Sequence, residues 1–321
     1  MKRFLKGFLI FVTPVIVFLL IAELYLRQIN TSYSEKVKGL KQNSENIEVL
    51  FLGNSHTAYG IDPKQFDLSA YNMAQVSQSL YFDKRITLKY LSQLPKLKYV
   101  VIGIDYHSLY FSSQSKTRDI WSYYGHGIEY KEAIPYLSKM SRLHGYSNKI
   151  AINFFKKDVS RKYDKVGALD VENGVELNQP IQNGTYFFEG TDENGMEESH
   201  IIIRTAYFND LVKQSEEKNQ ITSDLEDFIH QLHLRKITPI FITTPCYSKY
   251  VNKLDKKQFH KNESDIRDLS EKLNVVYWNY IDLPMDKNSF YNCDHLNKQG
   301  AMIFSKILNE QFKKHFNVEL K

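Results

Sequence analysis

The sequence predicts an α/β fold: a doubly wound parallel sheet with helices on both faces, an N-terminal transmembrane helix, and a large insertion after the third strand. Three observations support this prediction. Short apolar runs, clearest within residues 47–53 and 97–105, are typical of strands that are buried on both faces. Amphipathic helical stretches alternate with these runs. Residues 7–22 contain no charged side chain at all.

Residues 1–27 predict a single-pass membrane anchor. From Lys6 to Arg27 the chain spans about 20 residues, or about 30 Å as a helix, which matches the apolar core of a bilayer. Pro14 is tolerated in a transmembrane helix, and Glu23 lies near the far end, within reach of the headgroups. No A-x-A-like site follows, which argues against a cleaved signal peptide. The basic residues before the span predict a cytoplasmic N-terminus and a C-terminal domain outside the cytoplasmic membrane.

Residues 28–45 are polar and predict a linker, and residues 46–321 predict one α/β domain. In chain order the signals predict a strand ending at Gly53, a strand at Leu68–Asn72, a helix from about Ser77, a strand ending near Asp105, a helix within 221–236 with Ser223 as its N-cap, a strand at Ile240–Thr243, a helix at about 262–273, a strand at 275–280 and a last helix from Lys298 to about Phe312.

The insertion, at about residues 106–199, breaks this alternation and is rich in Tyr, Phe, Lys and Asn. Its later part, residues 167–195, predicts turns and hairpins. Loops at the carboxyl ends of parallel strands are where such a fold binds its ligand. The insertion is therefore either a wall of the substrate site or a cap with no part in binding.

Composition excludes several classes of function. The net charge is +5, most of it carried by residues 1–30, which leaves too little positive charge for a nucleic-acid surface. Two cysteines exclude a disulfide scaffold and a Cys-rich zinc module. The chain has no Walker loop, no G-x-G-x-x-G, no C-x-x-C and no H-E-x-x-H, so no cofactor is predicted. No ligand spacing supports a metal site at Asp294 and His295.

Two short segments at opposite ends of the α/β region contain residues suited to nucleophilic catalysis. Ser55 follows a buried strand and Gly53-Asn54, so its hydroxyl and the neighbouring backbone N–H groups are expected at the carboxyl edge of the sheet. His295 follows the final strand, and histidine is the usual general base for a serine nucleophile. The competing interpretation is that Ser55 only caps a helix.

The segments GNSH and DHLN, placed at the two ends of this region, resemble the first and last sequence blocks of the SGNH/GDSL hydrolase superfamily. The chain is most similar to its membrane-anchored members acting on cell-surface glycopolymers, such as the D-alanine-transfer protein of the teichoic-acid system and the alginate O-acetylation proteins. The resemblance covers residues 46–105 and 220–313 and implies a flavodoxin-like three-layer fold. It also implies that Ser55 is the nucleophile and an oxyanion donor through its backbone N–H, and that His295 is the base.

Two other blocks depart from the family pattern. The second block normally offers an oxyanion glycine; the matching stretch YNMAQVSQS has none, so Asn72 or the backbone near 74–77 is the expected substitute. The third block normally reads Gly-x-Asn, and this chain has Asp105 at the position of the asparagine. A carboxylate accepts hydrogen bonds and does not donate them. The oxyanion and substrate-binding residues implied by the resemblance are Gly53, Asn54, Asn72 and Asp105.

The orienting carboxylate of the family lies three residues before the histidine, where this chain has Asn292. An asparagine can orient an imidazole but cannot neutralise the imidazolium, and in a serine protease an Asp-to-Asn change costs about 10⁴ in turnover. Three explanations remain open: Asp294 has taken over, a Ser-His dyad suffices, or hydrolysis is weak. The first is favoured, because the loop CDHLN can place Asp294 differently from the family pattern.

Cys246 follows a predicted strand and Cys293 lies beside Asp294, so both are expected at the carboxyl edge of the sheet. Outside the cytoplasm a disulfide between them is permitted, and two free thiols are the alternative. Cys293 is also a possible nucleophile, although residues so close in sequence rarely align as nucleophile and base.

Together these features predict a membrane-anchored SGNH-like serine esterase or O-acyltransferase acting on acyl groups, such as O-acetyl groups, of a cell-envelope polysaccharide. The expected partners are a glycopolymer and a membrane-embedded acyltransferase, and no nucleic acid. The alternative is a catalytically silent SGNH-like subunit that binds glycan or a partner, which the departures at Asn292 and Asp105 favour.

Overall fold

The structure is a computed structural model that describes residues 1–28, 31–111, 116–132, 134–145, 181–214 and 217–316. The chain divides into two compact units. One contains residues 1–34 and 115–178, and the other contains residues 35–114 and 179–321. The second unit holds the complete sheet and both segments predicted to carry the site.

The described residues form the following helices and strands, in chain order: α1 (Lys2–Arg27), α2 (Ser32–Asn43), β1 (Val49–Leu52), α3 (Ser55–Gly60), β2 (Ala70–Asn72), α4 (Leu80–Tyr90), β3 (Tyr99–Gly103), α5 (Lys116–His126), α6 (Tyr136–Met140), α7 (Arg142–Gly145), α8 (Glu198–Gln214), α9 (Lys218–Leu234), β4 (Thr238–Thr243), α10 (Ser248–Val251), α11 (Lys256–Leu273), β5 (Val276–Asn279) and α12 (Lys298–Phe316). Short 3-10 helices lie at Pro63–Gln65, Leu91–Gln93, Ser108–Tyr110, Asn194–Met196 and Lys287–Ser289.

The five strands form one parallel sheet in the order β2-β1-β3-β4-β5. The predicted doubly wound α/β fold is thereby confirmed. Because the chain leaves β1 towards β2 on one side and returns through β3 on the other, the strand order reverses between β1 and β3. Ligands of such sheets bind at this reversal, outside the carboxyl ends of the strands, which is where Ser55 follows β1.

Apolar side chains cover both faces of the sheet, as the uninterrupted runs predict. Alternate strand residues such as Val49 and Val101 pack with Phe304 and Phe312 of α12 in one core cluster. Successive strand residues point to opposite faces, so Leu50 and its equivalents are buried on the other side. On that side α9 packs on β4 and against α4 and α11.

The structure differs from the sequence-based expectation in two segments, and a third is described only in part. Within the predicted linker, residues 32–43 form α2, whose side chains Val37 and Leu40 are buried because their spacing puts both on one helix face. The helix expected to start at Ser223 begins at Lys218, and Ser223 lies inside it. Residues 167–180 of the predicted hairpin region lie outside the described residues; within 181–195, Asn183 and Gly184 form a tight turn with positive φ angles.

Candidate active site

Ser55 and His295 meet at the carboxyl edge of the sheet. Ser55 is the first residue of α3, directly after β1, and His295 lies in the loop between β5 and α12. The strands are parallel, so both segments reach the same edge. Nε2 of His295 lies 2.8 Å from Oγ of Ser55, which is hydrogen-bonding distance for a serine hydroxyl and the base that takes its proton.

Gly53 makes the sharp turn that presents Ser55. Its φ of +131° is a conformation that side chains rarely adopt. A Cβ at this position would lie 2.7 Å from Oγ1 of Thr57 and 3.2 Å from Cα of Gly103. The Gly53 backbone N–H donates to Oδ1 of the buried Asp83 at 3.1 Å. The turn therefore depends on a glycine and is held in place from α4.

Asn292 orients the imidazole of His295. Its Oδ1 lies 3.0 Å from Nδ1 of His295 and also accepts the backbone N–H groups of His295, at 2.9 Å, and of Asp294, at 3.2 Å. An amide oxygen can only accept, so Nδ1 carries the proton and Nε2 presents its lone pair to Ser55. The side chain three residues before the histidine thus provides an acceptor, although it has no charge.

The structure places both candidates for the orienting residue, Asn292 and Asp294, beside Nδ1 of His295. Oδ1 of Asp294 lies 3.1 Å from Nδ1 of His295 but makes no hydrogen bond within the described part of the chain. Its other oxygen, Oδ2, accepts from Nε of Arg204 at 2.7 Å and lies 3.5 Å from Nε2 of His56. Asn292 therefore gives the orienting hydrogen bond, and Asp294 gives a negative charge beside the same nitrogen.

A buried charge cluster surrounds Asp294. Besides the contacts of Asp294 with Arg204 and His56, Nδ1 of His56 lies 3.1 Å from Oδ1 of Asp105. Burial alone lowers the pKa of His56, but the two carboxylates outweigh it and raise the pKa to about 10. The negative charges of Asp294 and Asp105 thus balance the positive charges of His56 and Arg204. We call these four residues the charge cluster.

His295 remains a neutral base beside this cluster. Burial is the largest influence on its pKa and lowers it, the carboxylate of Asp294 raises it, and the cations His56 and Arg204 lower it further. The net pKa lies below the ordinary histidine value. Burial raises the pKa of Asp294, but Arg204 and His56 hold it well below its usual range, so its carboxylate stays ionised. Nε2 of His295 is therefore free to accept a proton at neutral pH.

The predicted oxyanion residues have different partners from those expected. Oδ1 of Asn54 caps α3 by accepting the His56 backbone N–H at 2.9 Å, and its Nδ2 lies 3.3 Å from Nε2 of His107. Burial lowers the pKa of His107 to about 4, so this imidazole is neutral and can accept from Asn54. Asp105, at the family's asparagine position, belongs to the charge cluster and holds a cation.

Asn72 is not available as an oxyanion donor, which corrects that expectation. The side chain is fully buried, and its Nδ2 donates to the backbone carbonyls of Thr57 and Ile61 at 3.0 and 3.4 Å. Its Oδ1 accepts the backbone N–H of Ala74 at 3.0 Å. Asn72 thus ties β2 to the end of α3. The backbone N–H of Ser55 remains the oxyanion donor that the resemblance implies.

Cys246 and Cys293 are both free and buried in this structure, which is the arrangement of the two-thiol alternative. The thiol of Cys246 instead donates to the backbone carbonyl of Asp294 at 3.8 Å. Burial raises the pKa of Cys246 well above its usual value and that of Cys293 to about 12. Both thiols stay protonated at neutral pH, which disfavours Cys293 as a nucleophile.

His56, Asp294 and His295 lie close enough for metal binding, since one donor atom from each lies within 4.8 Å of the others. Their existing partners do not fit a metal, however. Protonated His56 has no lone pair to offer, Asp294 is bound to Arg204, and Nε2 of His295 faces Ser55. The group is better described as part of an ion-paired cluster.

An aromatic wall stands beside His295 and consists of Tyr59, Phe188 and Tyr291. Phe188 stacks on Tyr291 with ring centroids 3.9 Å apart and packs on Tyr59 at 4.1 Å. The ring of Tyr59 meets that of His295 edge-on at 5.5 Å. Phe188 and Tyr291 are partly exposed, and Phe188 comes from the predicted insertion. The insertion thus contributes a side chain close to the Ser55–His295 pair.

Sequence reasoning missed the functions of Arg204 and His56. Arg204 lies in α8, outside every recognised motif, and its guanidinium also packs over the ring of Phe208. His56 directly follows Ser55 in the GNSH segment, and this adjacency was the one feature of the sequence that could indicate that His56 belongs to the site. Its two carboxylate partners lie far away in sequence, so only the fold reveals them.

No protein-family model and no curated protein matches this chain. Among solved structures, it is similar to a GDSL-like lipase from Bacteroides thetaiotaomicron, with 10% identity, a TM-score of 0.41, and coverage of 88% of this chain and 98% of that chain. It is also similar to a catalytic mutant of an acetylxylan esterase from Geobacillus stearothermophilus, with 10% identity, a TM-score of 0.36, and coverage of 86% and 97%.

Proposed function

We propose that this chain is a membrane-anchored serine esterase or O-acyltransferase of the SGNH type, acting on acyl groups, such as O-acetyl groups, of a cell-envelope polysaccharide. One observation carries the proposal: Nε2 of His295 lies 2.8 Å from Oγ of Ser55 while Asn292 holds Nδ1 on the opposite side of the ring. This is the geometry of a nucleophile, its base and the group that orients the base.

The reaction starts when His295 takes the proton of Ser55 at Nε2 and Oγ attacks the acyl carbonyl. The carbonyl oxygen becomes an oxyanion next to the Ser55 backbone N–H. The sugar oxygen then leaves with the proton from Nε2, and the acyl group stays on Ser55. In the second half, a hydroxyl gives its proton to Nε2 and attacks the acyl-enzyme. Water as the attacking group gives hydrolysis, and a sugar hydroxyl gives transfer.

Asn292 and Asp294 together replace the single carboxylate that usually orients the histidine and neutralises its positive charge. Asn292 fixes the tautomer of His295 but cannot neutralise the imidazolium that forms after proton transfer. Asp294, 3.1 Å from Nδ1, provides the compensating charge. The charge cluster keeps Asp294 ionised and fixed in place, because Arg204 and His56 bind its other oxygen.

The membrane anchor is supported by α1 and its contacts. Within the described residues, α1 is the one helix long and apolar enough to cross a membrane, which is a property that signal sequences share. Its last turns, however, are built into the fold. Leu26 is buried, and Glu23 and Arg27 bind residues 140–143 of the same unit. A cleaved signal peptide would leave these contacts unmade, so we infer that α1 is retained.

The polymer substrate is supported by the partly exposed aromatic wall beside His295, since aromatic rings offer rigid surfaces to sugar rings. Transfer to a sugar hydroxyl is proposed from the resemblance to the anchored family members. In this proposal a membrane-embedded acyltransferase supplies the acyl group. The silent binding subunit remains the second candidate, because Asn292 lacks the charge of the usual carboxylate.

The full-length chain in detergent micelles tests this function. It is mixed with 4-nitrophenyl acetate, quenched in acid and digested, and the peptides are searched for an acetyl group on Ser55. A soluble acetyl-free saccharide is then added at increasing concentration. Acetylated saccharide indicates transfer, and acetate alone indicates hydrolysis. A folded chain that never acquires an acetyl group, yet retains saccharide, supports the silent subunit instead.

The pH dependence of ester cleavage follows from the lowered pKa of His295. The base must be neutral, so activity rises as His295 loses its proton, and a lowered pKa moves this rise to lower pH. We expect the acid limb of kcat/KM to have its midpoint below the ordinary histidine pKa of about 6.5. The measurement is the rate of 4-nitrophenyl acetate cleavage from pH 4 upwards, and a midpoint above that value would contradict the assignment of His295.

Asn292 variants test whether Asn292 orients His295 while Asp294 provides the negative charge. A hydrogen bond to a charged group contributes about 1.5–3 kcal/mol, and the bond from Nδ1 of His295 to Asn292 becomes one when the imidazole is protonated. We therefore expect Asn292→Ala to lower kcat about 10- to 100-fold with little change in KM. Asn292→Asp restores a carboxylate beside Nδ1 and should keep activity while moving the acid limb to higher pH. If Asn292→Ala keeps the wild-type kcat and pH profile, Asp294 orients His295 alone.

A further inference from the structure

The end of α1 is tied to the segment that follows α6. Oε1 of Glu23 accepts the backbone N–H of Arg142 and Oε2 accepts that of Leu143, both at 3.0 Å. Nη2 of Arg27 donates to the backbone carbonyl of Met140 at 2.6 Å. These bonds are made to backbone groups, so they fix the position of α6 along α1 whatever side chains α6 carries.

The outward face of α6 is apolar. Tyr136, Leu137 and Met140 are 72%, 59% and 58% exposed. Tyr136 and Leu137 lie four and three residues before Met140, and both spacings place a side chain beside that of Met140 on the helix surface. The charged residue of the helix, Lys139, points elsewhere and forms an ion pair with Glu129. Water would therefore contact three large apolar side chains on a helix of five residues.

The level of α6 along α1 matches the end of the apolar span. The large apolar side chains of α1 are exposed from Phe4 through to Leu24, as expected for a lipid-facing surface. Arg27, which binds Met140, lies only three residues further on, or about 5 Å along the helix axis. A bilayer around α1 would place its headgroup region at this level, since that region is several ångströms thick on each side of the core.

We propose that α6 is a second membrane contact, and that Tyr136, Leu137 and Met140 dip into the headgroup region of the bilayer that α1 spans. The ligand of this face is a lipid surface. Tyrosine is suited to this position because its ring is apolar and its hydroxyl stays hydrated, and leucine and methionine reach the acyl boundary below it. The proposal rests on the membrane anchoring proposed above and is independent of the acyl chemistry.

Spin labels on the full-length chain in phosphatidylcholine nanodiscs test this contact. Leu137→Cys carries the label on α6. Leu234→Cys is the matched control, because Leu234 is 67% exposed at the end of a helix in the α/β unit. Phe18→Cys marks the membrane span itself. Cys246 and Cys293 are buried, and the wild-type chain treated with the same reagent measures their background.

We expect the label at residue 137 to be several-fold more accessible to oxygen, relative to a water-soluble nickel complex, than the label at residue 234. Met140→Cys should behave like Leu137→Cys. If both α6 labels are as accessible to nickel as the control while Phe18→Cys is protected, the lipid contact is wrong and the anchor stands. If Phe18→Cys is itself accessible to nickel, both the anchor and the lipid contact are wrong.

Discussion

Replacing Ser55 with alanine should remove all covalent labelling of the chain by a fluorophosphonate and lower ester turnover by about 10⁶-fold, the scale of loss when a serine hydrolase loses its nucleophile. The reason is that in the proposed reaction Oγ of Ser55 forms the new bond to the acyl carbon, and no other hydroxyl is held 2.8 Å from Nε2 of His295 in the described residues. We expect His295→Ala to cause a similar loss, because an unactivated serine hydroxyl is a weak nucleophile.

The double variant makes this prediction sharper. Nucleophile and base act as a unit, so Ser55→Ala combined with His295→Ala should be no less active than either single variant. Ser92→Ala is the matched control, since Ser92 is exposed in a surface turn after α4. Adducts are mapped by mass spectrometry on chains whose folding is checked by circular dichroism. A label that persists on the Ser55→Ala chain would refute the assignment.

Asp294→Asn should be the most destabilising isosteric change at the site. The substitution removes the carboxylate that Arg204 and His56 share, leaving Asp105 to balance two cations. Removing one partner of a buried ion pair lowers the free energy of unfolding by about 3–5 kcal/mol. Turnover should fall as well, because the imidazolium of His295 loses its compensating charge.

Urea unfolding followed by tryptophan fluorescence measures this loss, since Trp278 lies in the core of the α/β unit. Asp282→Asn, at an exposed position, is the control for the chemical change itself. Equal unfolding midpoints for Asp294→Asn and Asp282→Asn would mean that the charge cluster contributes no net stability.

The sequence alone predicts the sheet and the central pair of the site. Short apolar runs identify β1 and β3 because strands buried on both faces leave no polar alternation. Ser55 and His295 could be paired because parallel strands end at one edge. The orienting residue could not be decided in this way, since Asn292 and Asp294 lie on the same short loop. Which of them receives the Nδ1 hydrogen bond depends on the loop conformation.

Other parts of the site depend on packing that no local pattern encodes. Arg204 reaches Asp294 from α8, and nothing in the α8 sequence distinguishes this arginine from a solvated one. Asn72 lies where an oxyanion donor is plausible, yet both its donors are taken by backbone carbonyls at the end of α3. Buried polar groups take the partners that the fold brings within reach, and these partners are far apart along the chain.

The distance along the chain between Ser55 and His295, 240 residues, sets the order in which the protein becomes reactive during synthesis. Translation is vectorial, so the nucleophile leaves the ribosome long before the residue that activates it. A nascent or prematurely terminated chain carries only an ordinary serine. The pair of Ser55 and His295 therefore forms only after α11 and β5 have been made and the loop before α12 has reached the edge of the sheet.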